Sequence, residues 1–99
     1  LERIPTGDWI IVVSLLEDKD IAGMLERLAS AGSTFVVTQS SNPRALPADE
    51  LADRARRYVT DVVTIADPVA ALRQAHELGT RVLVTGSLYL LADLHAAAR

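Results

Sequence analysis

The sequence predicts a small α/β domain, built on an open, mostly parallel sheet with helices on both faces. Three observations carry that prediction. Short aliphatic runs (Trp9 to Leu16, Thr34 to Thr38, Val62 to Ile65 and Arg81 to Thr85) recur along the chain, and runs of that length suit parallel strands covered on both faces. Between them lie segments with apolar residues at helical spacing, bounded by capping residues. The polar, chemistry-bearing residues fall directly after strands, at the edge where open parallel sheets bind ligands.

Leu1 to Thr6 reads as a connector, because Ile4-Pro5-Thr6-Gly7-Asp8 stacks turn residues. Trp9 to Leu16 is strongly β-branched and forms the first strand. Asp18-Lys19-Asp20 precedes a helix that Asp20 can cap, with Ile21, Met24, Leu25 and Leu28 on one face. Gly32 stands where a left-handed residue would end that helix. The second strand is centred on Phe35-Val36-Val37, and Gln39 to Leu46 is a polar loop containing Pro43. Pro47 is expected in the first turn of the next helix, where Asp49 and Glu50 suit the positive end of the dipole. Leu51, Ala55, Tyr58 and Val59 give this helix its buried stripe, and Arg54, Arg56 and Arg57 a solvated face.

Val62 to Ile65 is a short third strand. Asp67-Pro68 is an N-cap and first-turn pair for a helix that runs to Leu78, before Gly79. Arg81 to Thr85 is the fourth strand, Gly86 a turn, and Ser87 the N-cap of a last helix through about Ala98. The order βαβαβαβα predicts a Rossmann-like sheet with right-handed crossovers. Four strands are few for such a sheet and the chain opens directly on a connector and strand, so the domain is expected to be truncated at its N-terminus.

A chain of 99 residues supports one domain and one core. Apolar residues make up 49% and charged residues 23%, the balance of a folded domain rather than a disordered one. With a net charge of -3 and no basic run interleaved with aromatics, nothing points to nucleic acid. The apolar runs are too short to span a bilayer and no signal-peptide pattern opens the chain. The absence of cysteine excludes disulfides and thiolate metal sites and leaves the cytosol as the default compartment. Nine of the ten basic residues are arginine, a compositional habit rather than a functional sign.

Three polar clusters mark the carboxyl edge: Asp18-Lys19-Asp20, Ser40-Ser41-Asn42-Pro43-Arg44 and Thr85-Gly86-Ser87. A helix that starts on Ser87 would offer unpaired N–H groups and a positive dipole end to an anion. Arg44, held behind a proline in a polar loop, suits bidentate capture of a carboxylate or phosphate. Each cluster also reads as an ordinary connection: a strand-to-helix turn, a solvated helix cap, a surface arginine. Tyr89 packs or donates to a ligand. His76 and His95 lack partners at metal-ligand spacing. No phosphate-loop pattern, G-x-G-x-x-G or nucleophile elbow occurs, so these residues alone do not make a complete active site.

The order and spacing of Asp18-Lys19-Asp20, of Val36-Val37-Thr38 followed by Asn42-Pro43-Arg44-Ala45-Leu46-Pro47, and of Val84-Thr85-Gly86-Ser87-Leu88-Tyr89 resemble the C-terminal domain of folylpolyglutamate synthase/dihydrofolate synthase, in the Mur ligase superfamily. The resemblance covers essentially the whole chain, and its T-G-S-L-Y motif is the most specific part. It implies an ATP-dependent amide ligase: a substrate carboxylate is phosphorylated with ATP and Mg²⁺, and the amine of L-glutamate displaces phosphate. The implied partners are an N-terminal ATPase domain of the same parent chain, L-glutamate, folate or dihydropteroate, and ATP. Carried onto matching positions, Arg44 and Asn42 belong to the loop that grips the incoming amino acid's carboxylate. Ser87 and Tyr89 help place the glutamate, and Lys19 with Asp18 lies in the same wall. No catalytic residue and no metal ligand is implied within this stretch.

The departures are specific. The family's phosphate loop and metal-binding residues are absent, as is its D-G-A-H-N segment, whose strand and helix are expected just before Leu1. The first strand ends Ser14-Leu15-Leu16-Glu17, where the family has a glycine and smaller residues. The expectation is therefore a domain that does not catalyse by itself. Two alternatives stand beside it. One is a free-standing Rossmann-like module that binds a small anion at the carboxyl edge. The other is an interaction domain that uses the Arg54, Arg56 and Arg57 face.

Overall fold

The computed structural model describes residues 9–17 and 20–86. The first strand, β1 (Ile10–Ser14), is buried along its whole length. It lies inside the sheet, which explains its unbroken apolar sequence. It is shorter than the Trp9–Leu16 expected. After Ser14 the chain leaves the parallel ladder, and Leu16 forms an antiparallel bridge with Ala45 instead.

Helix α1 (Ile21–Ala29) starts where Asp20 accepts the Gly23 N–H at 3.1 Å, as the capping pattern predicted. Ile21, Leu25 and Leu28 are its buried residues. Its end differs from expectation. Ser30 closes the helix in a right-handed conformation, and Gly32 is not left-handed. Glycine is required there for another reason: a Cβ would collide with the Trp9 carbonyl oxygen.

Strand β2 (Thr34–Val37) is followed, after the loop, by α2 (Ala48–Ala55). Pro47 is the residue before the helix rather than part of its first turn, and it offers no side-chain cap. Ala48, Leu51, Ala52 and Ala55 face inward. Tyr58, expected in the buried stripe, sits beyond the helix in a turn and is 37% exposed. Three strand and helix elements complete the described chain: β3 (Asp61–Thr64), α3 (Pro68–Leu78) and β4 (Val82–Gly86). Asp67 caps α3 by accepting from Ala70 N–H at 2.9 Å, and Pro68 holds the first turn. The helix ends at Leu78 with Gly79 as its C-cap, as expected, and Gly79 is extended, with φ -174°.

All pairings are parallel and the strand order is β3-β2-β1-β4. Side-chain alternation splits the core in two. Ile11, Val13, Phe35 and Val37 pack under α1 and α2, while Ile10, Val12 and Val36 pack under α3. The α3 contacts are made by Ala71 and Ala75, side chains small enough to let the helix lie close on the sheet. Helices therefore cover both faces, as predicted. The last helix expected, from Ser87, lies outside the described residues.

Candidate functional site

The strand order makes β1 and β4 neighbours although they are the first and last of the described strands. The carboxyl ends of such a pair form the crevice in which open α/β sheets place ligands. Ser14 and Gly86 are register partners at this point. Ligand-facing loops should therefore follow β1, β2 and β4, which is where the sequence concentrates its polar clusters.

The loop after β2 is fully built. Thr38 is buried, its N–H donating to the Val13 carbonyl at 2.9 Å and its hydroxyl to the Ala66 carbonyl at 2.9 Å. Gln39 N–H also reaches the Ala66 carbonyl, at 3.3 Å. Its side-chain oxygen then accepts from Ala48 N–H at 3.1 Å. Gln39 thus supplies the acceptor that Pro47 lacks and closes the base of the loop on the start of α2. Ser40 N–H donates to Ser14 Oγ at 3.0 Å. Asn42 Oδ1 accepts from Arg44 N–H at 2.8 Å, and the Asn42 carbonyl from Ala45 N–H at 2.9 Å. A side-chain oxygen bonded two residues ahead is an Asx turn, which suits a position before proline.

This loop folds back onto the segment after β1. Glu17 N–H donates to the Arg44 carbonyl at 2.9 Å, and Leu46 N–H to the Leu15 carbonyl at 2.9 Å. Two clusters read separately in the sequence are thereby joined: Arg44 is bonded to the residue immediately before Asp18. Arg44 is exposed and Asn42 is half-buried, so the loop presents an arginine to solvent from a pinned backbone. Of the other expected site residues, Asp18, Lys19, Ser87 and Tyr89 lie outside the described residues.

Chemically, this edge offers a guanidinium on a preformed loop beside a topological switch point, an arrangement suited to an anion. Among the described residues no group of three or more His, Cys, Asp or Glu is gathered that could hold a metal ion. None of their helices is long and apolar enough to cross a membrane. Two hollows lie away from the edge. One, of about 250 Å³, is lined by Ile21, Ala22, Leu25, Arg54, Arg57 and Tyr58. The other, of about 360 Å³, runs beside β3 near Asp61 and Leu78. Neither adjoins Arg44, and of the arginines lining the first, Arg54 is engaged along its own helix with Glu50 at 3.1 Å.

Sequence reasoning missed Ser14 and Gln39. Both left a signal. A hydroxyl at the end of a strand buried on both faces needs a partner. A helix whose first residue follows a proline must find its cap elsewhere.

Comparison with known proteins places this geometry in context. The family model described as Mur ligase, glutamate ligase domain matches residues 1–88. A probable dihydrofolate synthetase of Schizosaccharomyces pombe is 29% identical, over 85% of this chain and 22% of that protein. A folylpolyglutamate synthase of Mycobacterium tuberculosis, solved with ADP and AMPPCP, superposes with a TM-score of 0.80 at 24% identity, covering 98% of this chain and 24% of that one. A bifunctional folylpolyglutamate synthase/dihydrofolate synthase of Yersinia pestis, solved with AMPPNP and Mn ion, gives 0.75 at 26% identity, over 92% and 22%. The chain spans less than a quarter of the length of each of these relatives.

Proposed function

This chain belongs to the Mur ligase glutamate ligase domain family, and from that premise we propose that it is the C-terminal domain of a cytosolic, ATP-dependent amide ligase. The reaction is addition of L-glutamate to folate, dihydropteroate or both. The substrate carboxylate is activated as an acyl phosphate. The glutamate nitrogen then forms the C–N bond as the acyl carbon–oxygen bond breaks, phosphate leaves with the electron pair, and the amine gives up its proton. The described residues gather no metal-binding group, and the sequence has no phosphate loop. ATP and Mg²⁺ are assigned to an N-terminal ATPase domain of the same parent chain.

This chain's part is to hold the amino acid. Arg44 meets a carboxylate of the incoming glutamate, Asn42 sets the turn that aims it, and Ser87, Tyr89, Lys19 and Asp18 complete the wall. Catalysis of this kind is positioning and charge stabilisation, with no protein nucleophile. The observation that supports the reading is the Arg44 loop itself, bonded at Glu17 and Leu15 to the end of β1. A dianionic amino acid needs fixed donors, and this loop supplies one without a folding cost on binding.

The first test is the intact mass of the endogenous polypeptide that carries this sequence. A mass several times 10.7 kDa directs the next assay to ATP-dependent glutamate addition by that polypeptide. A mass near 10.7 kDa refutes the ligase reading and favours a free-standing anion-binding module. That second reading keeps the same edge, and it predicts affinity for a small dianion with no other domain present.

A further inference from the structure

The Ser14 hydroxyl has no counterpart in the rest of β1, which is otherwise aliphatic over Ile10–Val13. It is completely buried. A hydroxyl in such a place needs a partner, and its partner is Ser40 N–H, 26 residues later in the chain. Ser40 is itself 5% exposed, so its N–H has little recourse to water.

The neighbouring bonds explain why a side chain is used. In the parallel ladder, Thr38 N–H donates to the Val13 carbonyl. Two residues on, Ser40 N–H would next reach the Leu15 carbonyl. That carbonyl is already taken by Leu46 N–H at 2.9 Å. Ser14 Oγ stands in for it at 3.0 Å. Both ends of the loop are thereby fastened to consecutive residues, the last of β1 and the one after it, Ser40 to Ser14 and Leu46 to Leu15, while Glu17 holds the Arg44 carbonyl. On the other side of β1, Ser14 is paired in register with Gly86, within the third polar cluster.

We propose that Ser14 is a positioning residue: its buried hydroxyl fixes the start of the Arg44 loop and so sets where the guanidinium meets the incoming amino acid's carboxylate. The substrate part of this statement rests on the glutamate-ligase reading. Ser14 touches no substrate and acts only through Ser40 and the loop. Alanine at this position would remove the Ser14 acceptor of the Ser40 N–H and loosen one end of the loop, while Leu46 and Glu17 still held the other. The rest of the sheet would keep its ladder.

The test uses the intact parent polypeptide as wild type, Ser14→Ala and Ser14→Cys. Cysteine keeps the shape, though its sulfur is larger, and accepts hydrogen bonds only weakly, so both variants should lose the tie to Ser40. Two readouts are taken. The glutamate KM should rise about tenfold, as expected for losing one buried hydrogen-bond partner, with the ATP KM within about twofold. Amide hydrogen exchange should quicken across residues 40–44 and stay unchanged in α3. Unchanged exchange in 40–44, equal rises in both KM values, or a Cys variant that matches wild type beside an impaired Ala variant would each overturn the proposal. If the wild-type polypeptide adds no glutamate, the ligase reading fails on its own. The exchange result then still decides whether Ser14 positions the loop.

Discussion

Truncation of Arg44 separates binding from folding with unusual clarity, because the structure shows what the substitution would leave intact. The Arg44 backbone donates to Asn42 Oδ1 at 2.8 Å and accepts from Glu17 N–H at 2.9 Å. Neither bond uses the side chain, so Arg44→Ala keeps the Asx turn and the tie to β1. Arg44 is also exposed, and substitutions at such surface positions change stability by only about 0.5 kcal/mol or less. The side chain's contribution to glutamate binding should be much larger. A hydrogen bond to a charged group contributes about 1.5–3 kcal/mol, which corresponds to a rise in KM of roughly 10- to 150-fold. Arg44→Lys should recover part of this, since the charge survives but the bidentate fork does not.

The assay is steady-state glutamate addition by the parent polypeptide, varying glutamate at saturating ATP and then ATP at saturating glutamate. The expected result is a large rise in the glutamate KM, a small change in the ATP KM and an unchanged melting temperature. Equal losses toward both substrates would refute the role assigned to Arg44, because a residue that meets only the amino acid cannot weaken the nucleotide to the same degree. A lowered melting temperature would refute the structural part of the reasoning.

Three further outcomes follow from the same contacts. Gln39→Ala removes the acceptor for Ala48 N–H and should cost about 1 kcal/mol, a fall in Tm of about 4–8 °C for a domain of this size; an unchanged Tm would mean that solvent caps α2 equally well. Gly32→Ala drives a Cβ into the Trp9 carbonyl and should destabilise by about 2–3 kcal/mol, read by urea denaturation of the 99-residue chain with its single tryptophan as the probe; a loss under about 0.5 kcal/mol would show that this approach relaxes freely. Reversing Arg54 and Arg57 together (R54E and R57E) should leave the glutamate KM unchanged and lower stability slightly, since it sets like charges against Glu50; a glutamate KM that moved as far as in Arg44→Ala would refute the assignment of the site to the carboxyl edge.

Much of the fold was legible because its signals are local. Each strand announced itself by a run of β-branched residues, and Asp20 and Asp67 cap their helices with partners three residues on. What the sequence hid were contacts between distant residues. Gln39 reaches nine residues to cap α2, and Ser14 reaches across to the loop after the neighbouring strand. Gly79 does end α3 as its position suggests, whereas Gly32 resembles a left-handed helix ending that α1, closed at Ser30, does not use. Both also lie close to β1 and its entry, Gly32 against Trp9 and Gly79 against Ile10, a closeness that no local pattern shows. Tyr58 continued the helical spacing on paper, but α2 stops at Ala55 and the chain turns before the ring can reach the core. The loop that carries Asn42 and Arg44 follows β2 as expected. The fastening of that loop to Leu15 and Glu17 depends on the β1–β2 pairing, which no local pattern encodes.

The two sets of arginines show why site geometry outweighs composition. Arg54 and Arg56 are partnered on their own helix surface by Glu50 and Asp53, and all four side chains are largely exposed. Such pairs are weak and screened by salt, and the helix face that carries them is electrically near balance. An anion approaching it meets carboxylates as readily as guanidinium groups. Arg44 stands instead on a loop whose backbone is bonded at Ser40, Arg44 and Leu46 to the segment running from Ser14 to Glu17. Those bonds are made before any ligand arrives, so in the role proposed for Arg44 the entropy of ordering the loop is already spent. A chain selected only for a solvated arginine face would have no reason to bury a serine in its central strand or to spend a glutamine on closing the loop. Ser14, Gln39 and Asn42 make sense together if the placement of Arg44 is what they serve.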